Sequence, residues 1–325
     1  MTSSDQHPLG SGFSAASTAD EVMAGARLDG RTALVTGGTS GLGLETTRSL
    51  AAAGARVFVL ARSADTAPRA LHGIEGAIVV DGFDLADLGS VARVAEEITR
   101  RAHRIDVLVA AAGVMATPRR PVGPGWDYQL SVNHFGHFAL VTRLFPLLAR
   151  AGARVVVYSS AGHHVSGVRW RDPHFLGGYD KWAAYGQSKT ANALFAVHLD
   201  RLGRHRGVRA FALHPGKIIT GLQRDLPLAE QVDLGWVDAD GRVVGRDFKT
   251  PTQGAATGLW AVTSPLLDGR GGLYLEDCDV ARISAPTGTV DDGGVKPYAV
   301  DEADAERLWL LTAAITATDL TTRHL

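Results

Sequence analysis

Short apolar runs recur along the chain and alternate with stretches of helical composition. Arg31-Thr-Ala-Leu-Val-Thr36, Arg56-Val-Phe-Val-Leu60, Ala77-Ile-Val-Val80, Asp106-Val-Leu-Val-Ala110, Arg154-Val-Val-Val-Tyr158 and Val208-Arg-Ala-Phe-Ala-Leu213 are rich in β-branched and apolar residues. Such runs are expected of strands buried on both faces. A last strand is predicted over Gly272-Leu-Tyr-Leu275. Helices are predicted over Leu44 to Ala53, stopped by Gly54, over Asp87 to Ala102, Trp126 to Arg150, Tyr185 to about Arg204, Pro251 to Val262 and Asp301 to Thr316. Strand and helix alternate with no internal linker, so the expected fold class is α/β, a doubly wound, mostly parallel sheet in a single domain over 18–325.

Two segments fall outside that alternation. Residues 1–17 are rich in Ser, Gly and Ala and read as a disordered tail. Thr18-Ala-Asp-Glu21 has the spacing of a capping box, which would start a short helix through Ala26, although a chance match in a polar tail fits as well. Residues 222–250 are polar and aperiodic, and a flap over a site is expected around 218–250.

Composition narrows the class. Of 325 residues 45% are hydrophobic, enough for a large core, and 33 basic against 34 acidic residues leave a formal net charge of -1 with no long basic block. No nucleic-acid partner is expected. Cys278 is the single cysteine, which excludes an intrachain disulfide framework and fits a reducing compartment. No apolar run approaches the roughly 18 to 20 residues of a membrane span, and Met1 to Thr18 lacks the layout of a signal peptide. A cytoplasmic location is expected.

The first strand hands over to its helix through Gly37-Gly-Thr39-Ser40-Gly41-Leu42-Gly43. Glycine permits a sharp turn and close approach to a ligand, and the free N–H groups of the following helix attract an anion such as a pyrophosphate. The spacing Thr-Gly-x-x-x-Gly-x-Gly, between strand and helix, points to dinucleotide binding in a Rossmann fold. At the end of the second strand no acid is present for a ribose 2′-hydroxyl, whereas Arg62 and Ser63 suit a 2′-phosphate. NADP(H) is therefore expected in preference to NAD(H); the alternative is an arginine that merely caps the sheet edge. Asp84, beside Leu85, could accept a hydrogen bond from an adenine amino group or cap the next helix. Small residues at Ala111-Ala112-Gly113 would let a cofactor lie against the backbone. Asn133 falls inside a predicted helix, where a buried amide needs partners. Tyr185 and Lys189 are four apart and share one helix face.

Together, Thr36-Gly37-x-x-x-Gly41-x-Gly43, Asn133, Ser160, Tyr185-x-x-x-Lys189 and Pro215-Gly216 followed by Thr220 resemble the short-chain dehydrogenase/reductase family over roughly 28–316. Val132-Asn133-His134-Phe-Gly-His137-Phe, Ala191-Asn192, His214-Pro215-Gly216 and Gly272-x-Tyr274 through Cys278 are similar to its retinol dehydrogenase and WW-domain oxidoreductase branch. The resemblance implies hydride transfer between an alcohol and a ketone or aldehyde, with Ile218 and Thr220 among the cofactor contacts. A tyrosine is a poor base near neutral pH unless its phenolate is stabilised, and a lysine one turn along lowers its pKa by charge. Tyr185 is thus assigned as acid/base and Lys189 as its electrostatic helper, which by resemblance also holds the nicotinamide ribose. Ser160 would orient the substrate oxygen, with Ser159 as the alternative. By resemblance Asn133 holds a water linking Lys189 to solvent, a role compatible with bonding a distorted helix.

Two departures stand out. Ser160 and Tyr185 are 185 − 160 = 25 residues apart, about twice the spacing common in the family, as the resembled branch carries an insertion there. Ala110-Ala111-Ala112-Gly113 replaces the usual Asn-Asn-Ala-Gly, so a hydrogen bond of order 1 kcal/mol is expected to be missing from the centre of the sheet. His163, His164 and His214 show no regular ligand spacing, so no metal is expected. Trp170, Phe175, Tyr179, Trp182, Leu222 and Trp236 would either wall a pocket for a bulky hydrophobic carbonyl or alcohol, or anchor loops. The resemblance leaves room for a homo-oligomer. A nucleotide-sugar epimerase or dehydratase also carries Tyr-x-x-x-Lys, but with a different glycine spacing, and a nucleotide-sensing regulator that binds NADP(H) without turnover is the alternative outside catalysis.

Overall fold

The computed structural model of the chain describes residues 6–63 and 67–320. The first half runs α1 (Ala19–Met23), β1 (Thr32–Thr36), α2 (Gly41–Ala52), β2 (Arg56–Leu60), the short α3 (Ala67–Ala70), β3 (Ala77–Val80), α4 (Leu88–Arg101) and β4 (Val107–Ala110). A hairpin of β5 (Pro121–Val122) and β6 (Trp126–Asp127) precedes α5 (Tyr128–Leu130), a π-helical segment at Ser131–Phe135 and α6 (Gly136–Ala151). Then follow β7 (Arg154–Tyr158), α7 (Lys181–Gly203), β8 (Arg209–His214), α8 (Leu228–Asp233), α9 (Pro251–Thr263), β9 (Leu273–Glu276), β10 (Asp279–Val280) and α10 (Glu302–Thr316).

All seven strands expected from the apolar runs form one sheet in the order β10-β9-β8-β7-β4-β1-β2-β3, to which β10 adds an antiparallel edge. Every other pairing is parallel. Alternate residues of each strand feed two cores. Leu34, Phe58, Leu108 and Val155 pack with α4, α6 and α7, whereas Val35, Val57, Val109 and Val156 pack with α2 and α9. Burial on both faces is why these strands are apolar throughout. The order reverses at β1 and β4, whose C-terminal ends open the crevice where doubly wound sheets take ligands. No helix among the described residues is long and apolar enough to cross a membrane.

Several expectations are corrected. Residues 6–17 are not a structureless tail; residues 1–5 lie outside the described residues. The buried Gln6 amide bonds the backbone of Tyr274 and the carbonyl of Ala281, and the Asp279 carboxylate takes the N–H groups of Leu9, Gly10 and Ser11. Thr18 and Glu21 form the capping box, but its helix stops at Met23 rather than Ala26. The helix expected from Trp126 begins at Tyr128, because Trp126 and Asp127 pair with β5 and Asp127 then caps α5. Helix α7 starts at Lys181, before Tyr185, because the Asp180 carboxylate accepts from the N–H groups of Trp182 and Ala183. The stretch 222–250 contains α8, and a capping box of Thr220 and Gln223 closes the turn Gly221–Asp225.

Gly136 fixes how α6 lies against the loop after β3. A Cβ there would sit 2.4 Å from the Leu85 carbonyl oxygen and 2.9 Å from Leu85 Cα, and backbone on both sides leaves little room to give. Gly136→Ala is expected to cost about 2 kcal/mol in urea or thermal unfolding; an unchanged midpoint would mean that this loop yields.

Candidate active site

One cleft of about 570 Å³ opens above the ends of β1 and β4. Its outer part is the turn between β1 and α2. Gly37, at φ +68°, passes so close to the strip that follows β4 that a Cβ would lie 2.9 Å from Ala112 Cα, and a Cβ on Gly43 would lie 2.3 Å from the Gly37 carbonyl oxygen. Ser40 occupies the N-cap of α2 without making a side-chain cap bond. The first N–H groups of α2 are therefore left for an external anion.

The cleft gathers almost every expected cofactor residue. Gly37, Thr39, Ser40, Gly41, Leu42 and Gly43 line it on one side, and Arg62, Asp84 and Leu85 line it at the ends of β2 and β3. Ala111, Ala112 and Gly113 contribute from the end of β4, and Pro215, Gly216, Ile218 and Thr220 follow β8. Ser63, exposed beside Arg62, stands outside the lining. The Asp84 carboxylate accepts from Ala86 N–H at 2.9 Å, and it is Asp87 that caps α4. With its cradle closed to any Cβ at Gly43, uncapped N–H groups and a basic rim, this cleft fits a dinucleotide.

At the inner end Ser160, Tyr185 and Lys189 meet. Ser160 caps a turn of 3-10 helix, its Oγ accepting from Gly162 N–H at 3.0 Å, and Gly162 passes under the Tyr185 ring, where a Cβ would lie 2.8 Å from Cε1. Ser159 is buried and donates its hydroxyl to the Lys189 carbonyl at 2.8 Å, so it is committed to the helix backbone. Lys189 Nζ donates to the Tyr158 carbonyl at 3.0 Å and lies 5.6 Å from the centre of the Tyr185 ring.

Burial dominates the titration of both groups. It pushes the Tyr185 phenol up to about 12, against a smaller downward pull from its hydrogen bond to Ser160. It pushes Lys189 down to about 8. The expected lowering of the tyrosine by its lysine is therefore not met, because both groups are out of water and Nζ is engaged by a carbonyl.

Asn133 lies in the π-helical segment beneath the floor of the cleft rather than in its lining. Its amide finds three partners: Oδ1 accepts from Val114 N–H at 2.9 Å, and Nδ2 donates to the Val114 carbonyl at 3.0 Å and to Ser188 Oγ at 2.9 Å. The amide missing at Ala111 leaves no unmade bond at its neighbour, because Ala112 N–H donates to Thr36 Oγ1 at 3.1 Å.

The aromatic residues divide. Trp182, Leu222 and Trp236 line the cleft, the two tryptophans edge to face at 6.1 Å. Trp170 stacks under Arg307, Phe175 is buried, and Tyr179 bonds Gln129 and the Thr117 carbonyl, so these three anchor loops. Met115, Arg224 and Val290 also line the cleft and were not foreseen. Met115 could have been suspected, since it follows the end of a central strand. Val290 carries no such signal: the Lys296 ammonium, bonded to the carbonyls of Ala285, Pro286 and Gly288, and the ion pair Lys217–Asp291 at 2.6 Å hold its loop over the cleft.

A sequence profile described as short chain dehydrogenase matches residues 31–231. A probable oxidoreductase from Streptomyces lividans is 45% identical over 292 residues, covering 87% of this chain and 96% of that protein. Retinol dehydrogenase 14 from Mus musculus is 32% identical, covering 87% of this chain and 84% of that protein. The crystal structure of a putative uncharacterized protein from Mycobacterium paratuberculosis superposes with a TM-score of 0.70 at 30% identity, covering 94% of this chain and 98% of that one. With this fold, this cleft and these relatives, the chain belongs to the short-chain dehydrogenase/reductase family, in its retinol-dehydrogenase-like branch, and is an NAD(P)-dependent oxidoreductase.

Proposed function

We propose that the protein is an NADP(H)-dependent reductase that interconverts a bulky, apolar ketone or aldehyde and its alcohol. The observation that carries this reading is the meeting of Ser160, Tyr185 and Lys189 at the inner end of the cleft whose outer end is the glycine turn. A bound reduced nicotinamide supplies the hydride for a carbonyl carbon. Gly37 to Gly43 and the first turn of α2 would hold the pyrophosphate, Arg62 and Ser63 the 2′-phosphate, and Asp84 and Leu85 would lie by the adenine. Ala111, Ala112, Gly113, Pro215, Gly216, Ile218 and Thr220 would flank the rest.

The proton is the task of Tyr185. With its phenol pushed up to about 12, it is protonated at neutral pH and ready to donate to the oxygen that gains charge as the carbon is reduced. Ser160 Oγ accepts from Gly162 N–H and its hydroxyl pairs with the Tyr185 phenol, which holds both hydroxyls together where they can meet that oxygen. Lys189 in its charged form favours the phenolate left behind, and Asn133 positions the backbone at Val114 beside it. Met115, Trp182, Leu222 and Trp236 make the neighbouring wall apolar, with Leu226 packed behind them, which supports a hydrophobic substrate.

Lys189 is a cation below its pKa, so reduction is expected to proceed below about pH 8 and to fall as pH rises through it. Rates measured from pH 6 to 10 should show one alkaline limb in kcat/KM, and Lys189→Arg, cationic throughout, should remove the limb. Tyr185→Phe should lower kcat by roughly 10²-fold or more; a variant that turns over like wild type would remove Tyr185 from the chemistry. For the cofactor, Arg62→Ala should weaken NADPH binding roughly tenfold and leave NADH binding unchanged in a fluorescence titration. Equal losses for both dinucleotides, or tighter binding of NADH by wild type, would make Arg62 structural.

A further inference from the structure

His137 stands one turn beyond Asn133 on α6, and its ring is 1% exposed. Both ring nitrogens are bonded: Nδ1 lies 2.9 Å from the Asn133 carbonyl oxygen and Nε2 lies 2.9 Å from Thr36 Oγ1. A carbonyl only accepts, so Nδ1 carries the hydrogen and Nε2 of the neutral ring is an acceptor. The Thr36 hydroxyl must then donate to Nε2, while its oxygen accepts the Ala112 N–H at 3.1 Å. The result is a chain with one direction, from Ala112 N–H through the Thr36 hydroxyl and the imidazole into the Asn133 carbonyl, with each of these contacts made. Burial holds the ring at about 4, against an upward pull from the Asn133 carbonyl, so it stays neutral at physiological pH.

This chain joins the elements whose spacing defines the cleft. Thr36 ends β1 immediately before Gly37, and Ala112 lies just past the end of β4, to which β1 is paired. Asn133 holds Val114, two residues further on, through its side chain. The strip 112–114 is thereby tied at both ends to one π-helical segment: at Ala112 through Thr36 and His137, at Val114 directly. None of the small side chains of Ala111, Ala112 and Gly113 has a polar atom that could make such a tie.

We infer that His137 is a positioning residue for the cofactor: its ring fixes the Ala111–Gly113 backbone against the glycine turn before any ligand arrives. A strip held in its binding geometry spares the dinucleotide the cost of ordering it. The inference rests on the reading of this cleft as the nicotinamide dinucleotide site.

The test is a fluorescence titration of the full chain with NADPH and with NADH, beside the thermal midpoint of each variant. His137→Phe keeps a ring of similar size without nitrogens, Thr36→Val keeps the shape of Thr36 without its hydroxyl, and Thr36→Ser keeps the hydroxyl. His137→Phe and Thr36→Val should each raise Kd roughly tenfold, the equivalent of one hydrogen bond. Their combination should bind within about twofold of the weaker single variant, because both cut one chain, and Thr36→Ser should stay within about twofold of wild type. If both single variants bind like wild type while their thermal midpoints fall, the chain serves stability alone and the inference is overturned. Should His137→Phe fail to fold, His137→Leu, which also lacks the ring nitrogens, and His137→Gln, which keeps an acceptor for the Thr36 hydroxyl, take its place: weaker binding by the first restored by the second is expected, and wild-type binding by both overturns the inference. A wild-type chain that binds neither dinucleotide overturns the cofactor reading and this inference with it.

Discussion

The ends of β1 and β4 approach each other closely, and much of the active cleft follows from that approach. Gly37 has no room for a Cβ against Ala112, so the glycine turn and the Ala111–Gly113 strip form facing walls. The same two strand ends are joined through Thr36, His137 and Asn133 into the π-helical segment beneath them. Asn133 extends that tie to Val114 and, through Ser188, to the helix that carries Tyr185 and Lys189. The glycine-turn end of the cleft and the end that holds Tyr185 and Lys189 thus share one polar framework, buried and with its contacts made, as a low-dielectric interior requires.

That interior also sets the chemistry. Tyr185 and Lys189 are both buried, and burial moves each toward its neutral form, the phenol up to about 12 and the ammonium down to about 8. The two shifts differ in consequence. A high phenol pKa keeps a proton available, whereas a low lysine pKa places the loss of its charge near the working range. The proposed carbonyl reduction would use the first and be limited by the second. Ala111, Ala112 and Gly113 floor the cleft beside these two groups, and Trp182 and Trp236 stand on its wall.

The sheet was legible because parallel strands buried on two faces must be apolar at every position, and seven such runs are visible without any partner. The glycine turn, Tyr185 and Lys189 were legible because each depends on local spacing within one element. Other features depend on distant partners and left no local trace. Gln6 and the segment after it are held by Tyr274, Ala281 and Asp279, more than 260 residues away, which their Ser and Gly content conceals. The four-residue extension of α7 before Tyr185 came from the capping carboxylate of Asp180. The amide absent at Ala111 suggested a lost bond, yet Thr36 takes the neighbouring N–H, with His137 behind it. Val290 reaches the cleft only because Lys296 and Lys217 hold its loop.

The central claim is that hydride passes from a reduced nicotinamide to a carbonyl carbon within this cleft. The most direct measurement uses NADPH deuterated at C4 of the nicotinamide on the transferred face, with a panel of bulky apolar aldehydes and ketones, followed by mass and NMR analysis of the products. The account predicts alcohol carrying one deuterium on the carbinol carbon, formed as the reduced-nicotinamide absorbance falls. Bound NADPH that is never consumed across the panel, or alcohol formed from either face of the label without deuterium, would contradict it.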